Sequence, residues 1–212
     1  MADEAGLFEI MYSCRAMRRL KTDEVPEALL LKLIDAANQA PSGSNAQNQR
    51  WIIVRDAEQK QKLAELNRVA VERYLSLQRH RLLQMNETDS ARRERLMSAV
   101  EWQAEHMQEL PALIIACLDL RGVRRDTFAA GVGAGGSIWP AVQNLLLAAR
   151  ALGLGAAPTT LGLSDKPAAH EVLDLPETME PFALIPVGYP RGNFGPVTRM
   201  PVEDTVRWDR WS

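Results

Sequence analysis

The sequence predicts a single domain, residues 1–212, in which helices alternate with a few short strands. The chain has 212 residues, of which 46% are hydrophobic and 25% charged, and this is the composition of an ordinary globular domain. A core of that size holds without disulfides. Several segments repeat apolar residues at helical spacing, and residues 113–118 are apolar without alternation. The last feature is typical of a strand that is covered on both faces.

The first part of the chain predicts two helices and a strand. Apolar residues at 7–11 have helical spacing. A second helix is expected to begin at Pro26, whose ring suits the first helical position, and to end at Pro41. Residues 51–54 then predict a short strand.

A helical excursion is expected at about residues 57–108. Asp56 and Gln59 resemble a capping box, and Ser90 is expected to cap a second helix after a polar interruption. The helical pair is compatible with a substrate lid, with a partner surface and, equally, with a solvated hairpin on the core.

The second half of the chain predicts a buried central helix that Ser137 and Pro140 open and Gly153 ends. Residues 164–167 are expected to cap another helix that ends near residue 173. Residues 181–187 predict a last strand.

The tail at about residues 189–212 is expected to be extended. Its tryptophans, Trp208 and Trp211, need a surface to bury against, which a second subunit would provide.

Charge and cysteine usage exclude several function classes. The formal charge of -2 does not favour nucleic acid. Cys14 and Cys117 form no disulfide framework and fit a reducing compartment. The acidic start lacks the order of a signal peptide, and no apolar run is long enough to span a membrane. We therefore expect a cytoplasmic protein.

No motif of side-chain catalysis stands out. Residues 131–136 fit the pattern G-x-G-x-x-G, but they lack the preceding strand and the following acid, so they predict a flexible glycine-rich entry to the helix. A role in letting backbone approach a cofactor stays open. The three histidines have no metal-ligand spacing, so no metal site is expected. Ser42 and Ser44 lack a nucleophile elbow, and a packing role is favoured for Cys14 over a thiolate.

A chain without an evident acid, base or nucleophile is typical of an enzyme whose cofactor carries the chemistry. The small, polar loop at residues 40–48 suits hydrogen bonding to a flat polar ring. Taken with Arg15, Arg18 and Arg199, it suggests a ring with a phosphate tail.

Several blocks in the same order resemble the FMN-dependent nitroreductase superfamily. They are residues 14–20, 25–26, 40–47, 143–155 and 186–190, followed by Arg199 and Pro201. The resemblance covers nearly the whole chain except about residues 57–108.

The resemblance implies an α+β, three-layer α/β/α fold with a central mixed, mainly antiparallel sheet, and an intertwined homodimer that holds one FMN per subunit at its interface. Arg15 and Arg199 would hold the FMN phosphate, Ala16 would give a backbone contact, and Arg18 would reach the ribityl chain or the pyrimidine edge. The neighbouring chain would contribute four loop residues: Pro41, Ser42, Gly43 and Asn45. One strip would pass the ring near N5, with a backbone N–H as donor: Pro158, Thr159, Thr160 and Leu161.

The sequence departs from the pattern of that superfamily at several positions. Cys14 stands where an arginine is usual and Ala16 where a serine is usual, and both changes remove phosphate contacts. Leu20 replaces an aromatic residue, Gln49 replaces a tryptophan, and Thr160 with Leu161 replaces an acid–glycine pair.

The function implied is an FMN-dependent oxidoreductase that passes hydride from NADH or NADPH to nitroaromatics or quinones by a ping-pong mechanism. No side chain is then expected to be indispensable as acid or base. The alternatives on the same fold are reductive dehalogenation, flavin fragmentation and reduction of an activated alkene. A non-catalytic FMN-binding protein is a further alternative.

Overall fold

The structure is a computed structural model that describes residues 6–82, 87–122 and 132–211. The helices are α1 Leu7–Ser13, α2 Glu27–Asn38, α3 Ala57–Leu82, α4 Glu87–His106, α5 Val132–Ala151, α6 Lys166–Leu173 and α7 Val202–Thr205. The strands are β1 Gln49–Val54, β2 Ala112–Asp119, β3 Gly155–Ala156 and β4 Met179–Gly188. Short 3-10 turns lie at Gly43–Asn45, Met107–Glu109 and Leu161–Leu163.

The strands form one sheet with the order β1-β2-β4-β3. Each neighbouring pair is antiparallel, and β2 lies between β1 and β4. Ile115 of β2 pairs with Ile52 on one side and Leu184 on the other. No parallel pairing occurs among the described residues. The α+β class and the mainly antiparallel sheet are confirmed, whereas the parallel pair that a mixed sheet would need is not found in the described part of the chain.

Helices cover both faces of this sheet. Successive side chains of a strand point to opposite faces, so neighbouring residues of β2 enter two different cores. Ile114 and Ala116 of β2 pack into a core formed with α2 and α5. Ile115 and Cys117 pack into a second core with α3 and α6. Every residue of β2 is buried, as the unbroken apolar run at residues 113–118 predicts, and the buried residues include the charged Asp119 at the end of the strand. The molecule therefore has the expected three α/β/α layers.

The central helix begins earlier than its sequence predicts. α5 starts at Val132, so Ser137 and Pro140 lie inside it and do not open it. Residues 132–136 of the glycine-rich run are helical and do not form a flexible entry, whereas Gly131 lies outside the described residues. Burial of the apolar face of α5 against the sheet outweighs the low helix propensity of glycine and proline. The end of α5 was predicted correctly, since Gly153 follows it with a φ of 73°.

Two of the predicted capping residues lie at helix starts, whereas the predicted starts at Pro26 and Ser90 differ from the structure. Asp56 Oδ1 accepts a hydrogen bond from the N–H of Gln59 at 2.9 Å, and Asp165 Oδ1 accepts one from the N–H of Ala168 at 3.2 Å. α2 begins at Glu27, so Pro26 precedes the helix by one residue. Ser90 is not a cap, because α4 already begins at Glu87. Residues 83–86 lie outside the described ranges.

Over its described residues, 189–211, the tail beyond β4 is largely extended and carries the short helix α7. Its Trp208 is 85% exposed and its Trp211 is 80% exposed in the single chain. Across residues 6–82, 87–122 and 132–211, no helix combines the length and apolar content needed to cross a membrane.

Candidate functional site

The two ends of the chain lie side by side. The N–H of Val197 donates to the carbonyl oxygen of Tyr12 at 2.9 Å. The N–H of Lys21 donates to the carbonyl of Tyr189 at 2.7 Å, next to the bridge between Leu20 and Pro190. The tail therefore runs antiparallel along residues 12–21, so residues 189–197 lie beside the segment that carries Arg15 and Ala16, and Arg199 follows two residues beyond Val197.

A group of arginines surrounds the end of α1. Burial raises the pKa of the Cys14 thiol, while Arg150 and Arg199 act in the opposite direction, so both guanidinium groups lie close to the thiol. Arg150 Nε donates to Ser13 Oγ at 2.9 Å. Arg15, the next residue after Cys14, is exposed. The guanidinium groups of Arg150 and Arg199 thus meet near Cys14, where α1 ends, and Arg15 is the next residue of the chain.

These arginines have no acidic partners among the described residues. No carboxylate of those residues lies within salt-bridge distance of Arg15, Arg18, Arg150 or Arg199. Some arginines elsewhere are ion-paired, as Arg68 is with Glu65 and Glu72. Cations that converge without carboxylates favour an anionic ligand, and the planar guanidinium suits the oxygens of a phosphate.

Arg18 lies on the inner side of this segment. The N–H of Met17 donates to the carbonyl of Ala156 at 3.3 Å, which ties the segment to β3. Burial lowers the pKa of Arg18, and the nearby Tyr74 of α3 has the opposite effect. An arginine side chain stays protonated at neutral pH. When its guanidinium is partly buried, its positive charge acts strongly on nearby groups because little water screens it.

The strip at residues 158–161 follows β3 and runs beside this segment. The N–H of Thr159 donates to Leu184 at 2.8 Å, and the N–H of Leu161 donates to Thr159 Oγ1 at 3.2 Å. Pro158 has no N–H. Among the described residues, the N–H of Thr160 has no hydrogen-bond acceptor, and Thr160 is exposed. The strip therefore presents a single available backbone donor.

The helical excursion packs directly against the strip and the arginine segment. Thr159 Oγ1 donates to Asn67 Oδ1 of α3 at 3.3 Å, and Gln103 Nε2 of α4 donates to the carbonyl of Ala157 at 3.4 Å. Arg19 donates to Ser98 of α4 at 2.9 Å. α3 and α4 thus border the candidate site and do not project away from it.

The loop at residues 41–45 lies elsewhere in the single chain. The N–H of Gly43 donates to Ser137 Oγ at 3.0 Å, so the loop sits beside the first half of α5. The arginine group sits beside its last turns, where Cys14 Sγ contacts the carbonyl of Leu146 at 3.6 Å. At 1.5 Å per residue, Ser137 and Leu146 are about 14 Å apart along the helix. A single chain therefore brings the N-terminal segment and the C-terminal tail together, whereas the loop at residues 41–45 lies apart from both.

The backbone of that loop is nevertheless fixed. Ser44 and Asn45 both have a φ of 53°, and Ser42 Oγ accepts a hydrogen bond from the N–H of Gln47 at 2.9 Å. Residues at positive φ are uncommon outside glycine and cluster at functional positions. Pro41, Gly43 and Asn45 of this loop are exposed in the single chain.

Sequence reasoning missed four residues of the site region. They are Asn67, Tyr74, Gln103 and Arg150. Tyr74 and Asn67 lie in the helical excursion, where spacing alone does not show which face meets the site. Arg150 carried a usable signal, since it is a cation in the last turn of an otherwise apolar helix.

Comparison with known proteins decides the family. The sequence model of the Nitroreductase family matches residues 12–189. The chain belongs to the Nitroreductase family.

Individual relatives agree with this assignment. An NADH dehydrogenase of Thermus thermophilus is 29% identical, over 92% of this chain and 91% of its own. An iodotyrosine deiodinase of Thermotoga neapolitana is 27% identical, over 87% of this chain and 88% of its own. The crystal structure of an oxidised iodotyrosine deiodinase bound to FMN and 3-iodo-L-tyrosine shares the fold, with a TM-score of 0.72, 24% identity, and coverage of 97% of this chain and 100% of that one.

Proposed function

We propose that this chain is an FMN-dependent oxidoreductase that passes electrons from NADH or NADPH to a small-molecule acceptor such as a nitroaromatic or a quinone. The observation that carries the proposal is the group of arginines without acidic partners where the two chain ends meet. Membership of the Nitroreductase family supports it, as do an NADH dehydrogenase among the relatives and FMN in a structure of the same fold.

The arginine group fits the phosphate end of FMN. In this proposal Arg15 and Arg199 hold the phosphate oxygens, and Ala16 contributes a backbone contact. A phosphomonoester carries close to two negative charges at neutral pH. No described carboxylate is paired with these cations, so an anion of that charge would be stabilised there.

The inner side of the same segment fits the ring. Bound FMN would supply the redox chemistry, taking hydride at N5 from a nicotinamide and giving it up to the acceptor that replaces it. Arg18 would place a positive charge at the ribityl chain or pyrimidine edge, where negative charge develops on reduction. Of the strip formed by Pro158, Thr159, Thr160 and Leu161, only Thr160 retains an N–H that can donate to the ring within the described hydrogen bonds.

A homodimer would complete the site. Pro41, Ser42, Gly43 and Asn45 would reach the cofactor from the neighbouring chain, because within one chain they lie beside the other half of α5. The exposed apolar side chains of α1 and of the tail support this arrangement, since patches of that kind mark interfaces. They include Leu7, Phe8, Tyr12, Val202, Trp208 and Trp211.

We also propose a cytoplasmic location. Cys14 and Cys117 are free thiols in the structure, which is compatible with a reducing compartment.

Reductive dehalogenation is the second candidate function. The specific observation in its favour is the iodotyrosine deiodinase among the relatives, together with the deiodinase structure that shares the fold. The helical excursion, which borders the strip at residues 158–161, would then shape the pocket for a halogenated ring.

The two candidates differ in what reoxidises the reduced enzyme. Protein reconstituted with FMN is reduced anaerobically with NADH or NADPH, and a nitroaromatic, a quinone or 3-iodotyrosine is then added. We expect reoxidation by the first two and, in steady state, parallel double-reciprocal plots for nicotinamide and acceptor. Reoxidation by 3-iodotyrosine alone, with release of iodide, favours the dehalogenase. Bound FMN that neither nicotinamide reduces contradicts the oxidoreductase and favours a non-catalytic flavin-binding protein.

A further inference from the structure

Arg150 is a half-buried cation that no part of the proposed function yet uses. It lies in the last turn of α5, and its Nε donates to Ser13 Oγ at 2.9 Å. Its guanidinium lies 4.3 Å from the centre of the Phe194 ring in the tail. Arg150 therefore touches both chain ends that carry the proposed phosphate ligands, Arg15 and Arg199.

The guanidinium of Arg150 also keeps capacity for a ligand. Of its five N–H donors, only Nε–H has a hydrogen-bond acceptor among the described residues, and no described carboxylate pairs with it. Its two terminal nitrogens thus remain available on a side chain that the ring of Phe194 and Ser13 hold in place. A half-buried guanidinium that is oriented but not neutralised is suited to bind an anion.

The surroundings of Cys14 show that the positive charge of Arg150 lies close to the end of α1. Arg150 and Arg199 are the two cations that favour the ionised form of the Cys14 thiol, so the same small region receives charge from α5 and from the tail. Position 14 is also one of the two positions at which the sequence departs from its family by losing a phosphate contact, the other being Ala16. Arg150 of α5 thus places a positive charge near Cys14, the position at which the N-terminal segment lacks the usual arginine.

We propose that Arg150 is a third phosphate-binding residue, which supplies from the central helix the positive charge that position 14 does not provide. The inference rests on the proposed function, since the ligand is the phosphate of FMN. Arg15, Arg150 and Arg199 together give three positive charges for a group with close to two negative ones. The positive charge at this point also offsets the negative end of the α5 dipole, which would otherwise repel a phosphate.

A purely structural role makes a different prediction. If Arg150 only ties α5 to α1 and to the tail, its loss would loosen the whole region and weaken every flavin alike. If it binds the phosphate, its loss weakens FMN and spares riboflavin, which has the same ring and ribityl chain without the phosphate.

The experiment measures the dissociation constants of FMN and riboflavin by flavin fluorescence for the wild-type apoprotein and for Arg150→Met. We expect FMN binding to weaken by about tenfold to a hundredfold, the range of one charge-assisted contact, and riboflavin binding to stay within about twofold. Arg68→Met is the matched control, because Arg68 is exposed and ion-paired within α3, and it should leave both constants unchanged. Adding Cys14→Arg to Arg150→Met should recover most of the lost FMN affinity.

Two results would overturn the inference: FMN affinity within twofold of wild type, or equal weakening of FMN and riboflavin. If Arg150→Met does not fold, Arg150→Gln replaces it, because glutamine keeps a donor for Ser13 without the charge, and the same two outcomes decide. Wild-type protein that binds neither flavin contradicts the proposed function itself. If wild-type protein binds FMN and Arg150→Met binds it with the same dissociation constant, only the role of Arg150 is contradicted.

Discussion

The N–H of Val197 donates a 2.9 Å hydrogen bond to the carbonyl oxygen of Tyr12, so residues 185 positions apart in the sequence are joined. Cys14 and Arg15 follow Tyr12 in the chain, and Arg199, two residues after Val197, is close enough to Cys14 to influence its thiol. The site therefore depends on correct docking of the tail. Substitutions in the tail, in the segment at residues 12–21 and at the arginines should have effects that experiments can tell apart.

Replacing Arg199 should weaken the binding of the FMN phosphate and leave the binding of the flavin ring unchanged. We expect Arg199→Met to raise the dissociation constant of FMN about tenfold or more and to leave that of riboflavin within about twofold, because only the former has a phosphate. Arg68→Met serves as the control, since Arg68 is exposed and ion-paired within α3. Equal weakening of FMN and riboflavin binding in Arg199→Met would show that Arg199 acts only as part of the scaffold.

Replacing Arg18 should change the redox potential of bound FMN more than its affinity. The guanidinium is partly buried, and its loss removes a positive charge that stabilises the reduced, anionic flavin. We expect Arg18→Met to lower the potential by on the order of tens of millivolts, and Arg18→Lys to lower it less. The potential is measured by equilibration with a reference dye, and an unchanged value in Arg18→Met would argue against contact with the ring.

A side chain at position 155 should displace the arginine segment. A Cβ on Gly155 would lie 2.6 Å from Leu20 Cδ2 and 2.9 Å from Met17 Cβ, so residues 17–20 must move. We expect Gly155→Ala to lower the free energy of unfolding by about 1–3 kcal/mol, the usual cost of overpacking, and to weaken FMN binding as well. Gly192→Ala is the matched control, because its Cβ would meet nothing within 4 Å. Urea denaturation and flavin titration compare the two, and equal behaviour would refute the packing argument.

Removing the exposed tryptophans of the tail should impair dimer formation. Trp208 and Trp211 are 85% and 80% exposed in one chain, and burying two such rings is a large part of what an interface would gain. We expect the double variant Trp208→Ser, Trp211→Ser to shift sedimentation from dimer to monomer and to weaken FMN binding, since the loop at residues 41–45 would lose its partner. A wild-type protein that sediments as a monomer would contradict the proposed assembly.

The buried thiol of Cys117 should be inert in the folded protein. Burial raises the pKa of Cys117 to about 12, whereas an unfolded cysteine ionises near 8.5. In the variant Cys14→Ala, which keeps Cys117 as the single thiol, we expect no reaction with a disulfide reagent at pH 8 and full reaction in urea. The folded state favours the protonated thiol, so the stability it contributes is complete below about pH 8.5 and is lost as the pH rises toward about 12. Rapid native labelling at pH 8 would contradict this.

Local sequence patterns predicted most of the fold, because they report physical constraints that act over a few residues. The unbroken apolar run of β2 indicates burial on both faces, and Asp56 and Asp165 cap helices as their side chains predict. The start of α5 could not be read in this way. Glycines and Pro140 disfavour a helix locally, and only packing against the sheet, which the sequence does not display, overrides them.

The candidate site was predictable only in part. Resemblance to the family pointed to Arg15 and Arg199, whose segments the structure joins through backbone hydrogen bonds that no sequence pattern encodes. Arg150, Tyr74 and Asn67 were missed because their positions depend on which face of a helix meets the site. The involvement of Pro41, Ser42, Gly43 and Asn45 stays a prediction, since it requires a second chain.

The absorbance spectrum of the purified protein under anaerobic conditions, before and after addition of NADH or NADPH, tests the central claim most directly. The account predicts a yellow protein, either as isolated or after incubation with FMN, whose flavin absorbance is lost when one of the nicotinamides is added. A folded protein that stays colourless after incubation with FMN would contradict it.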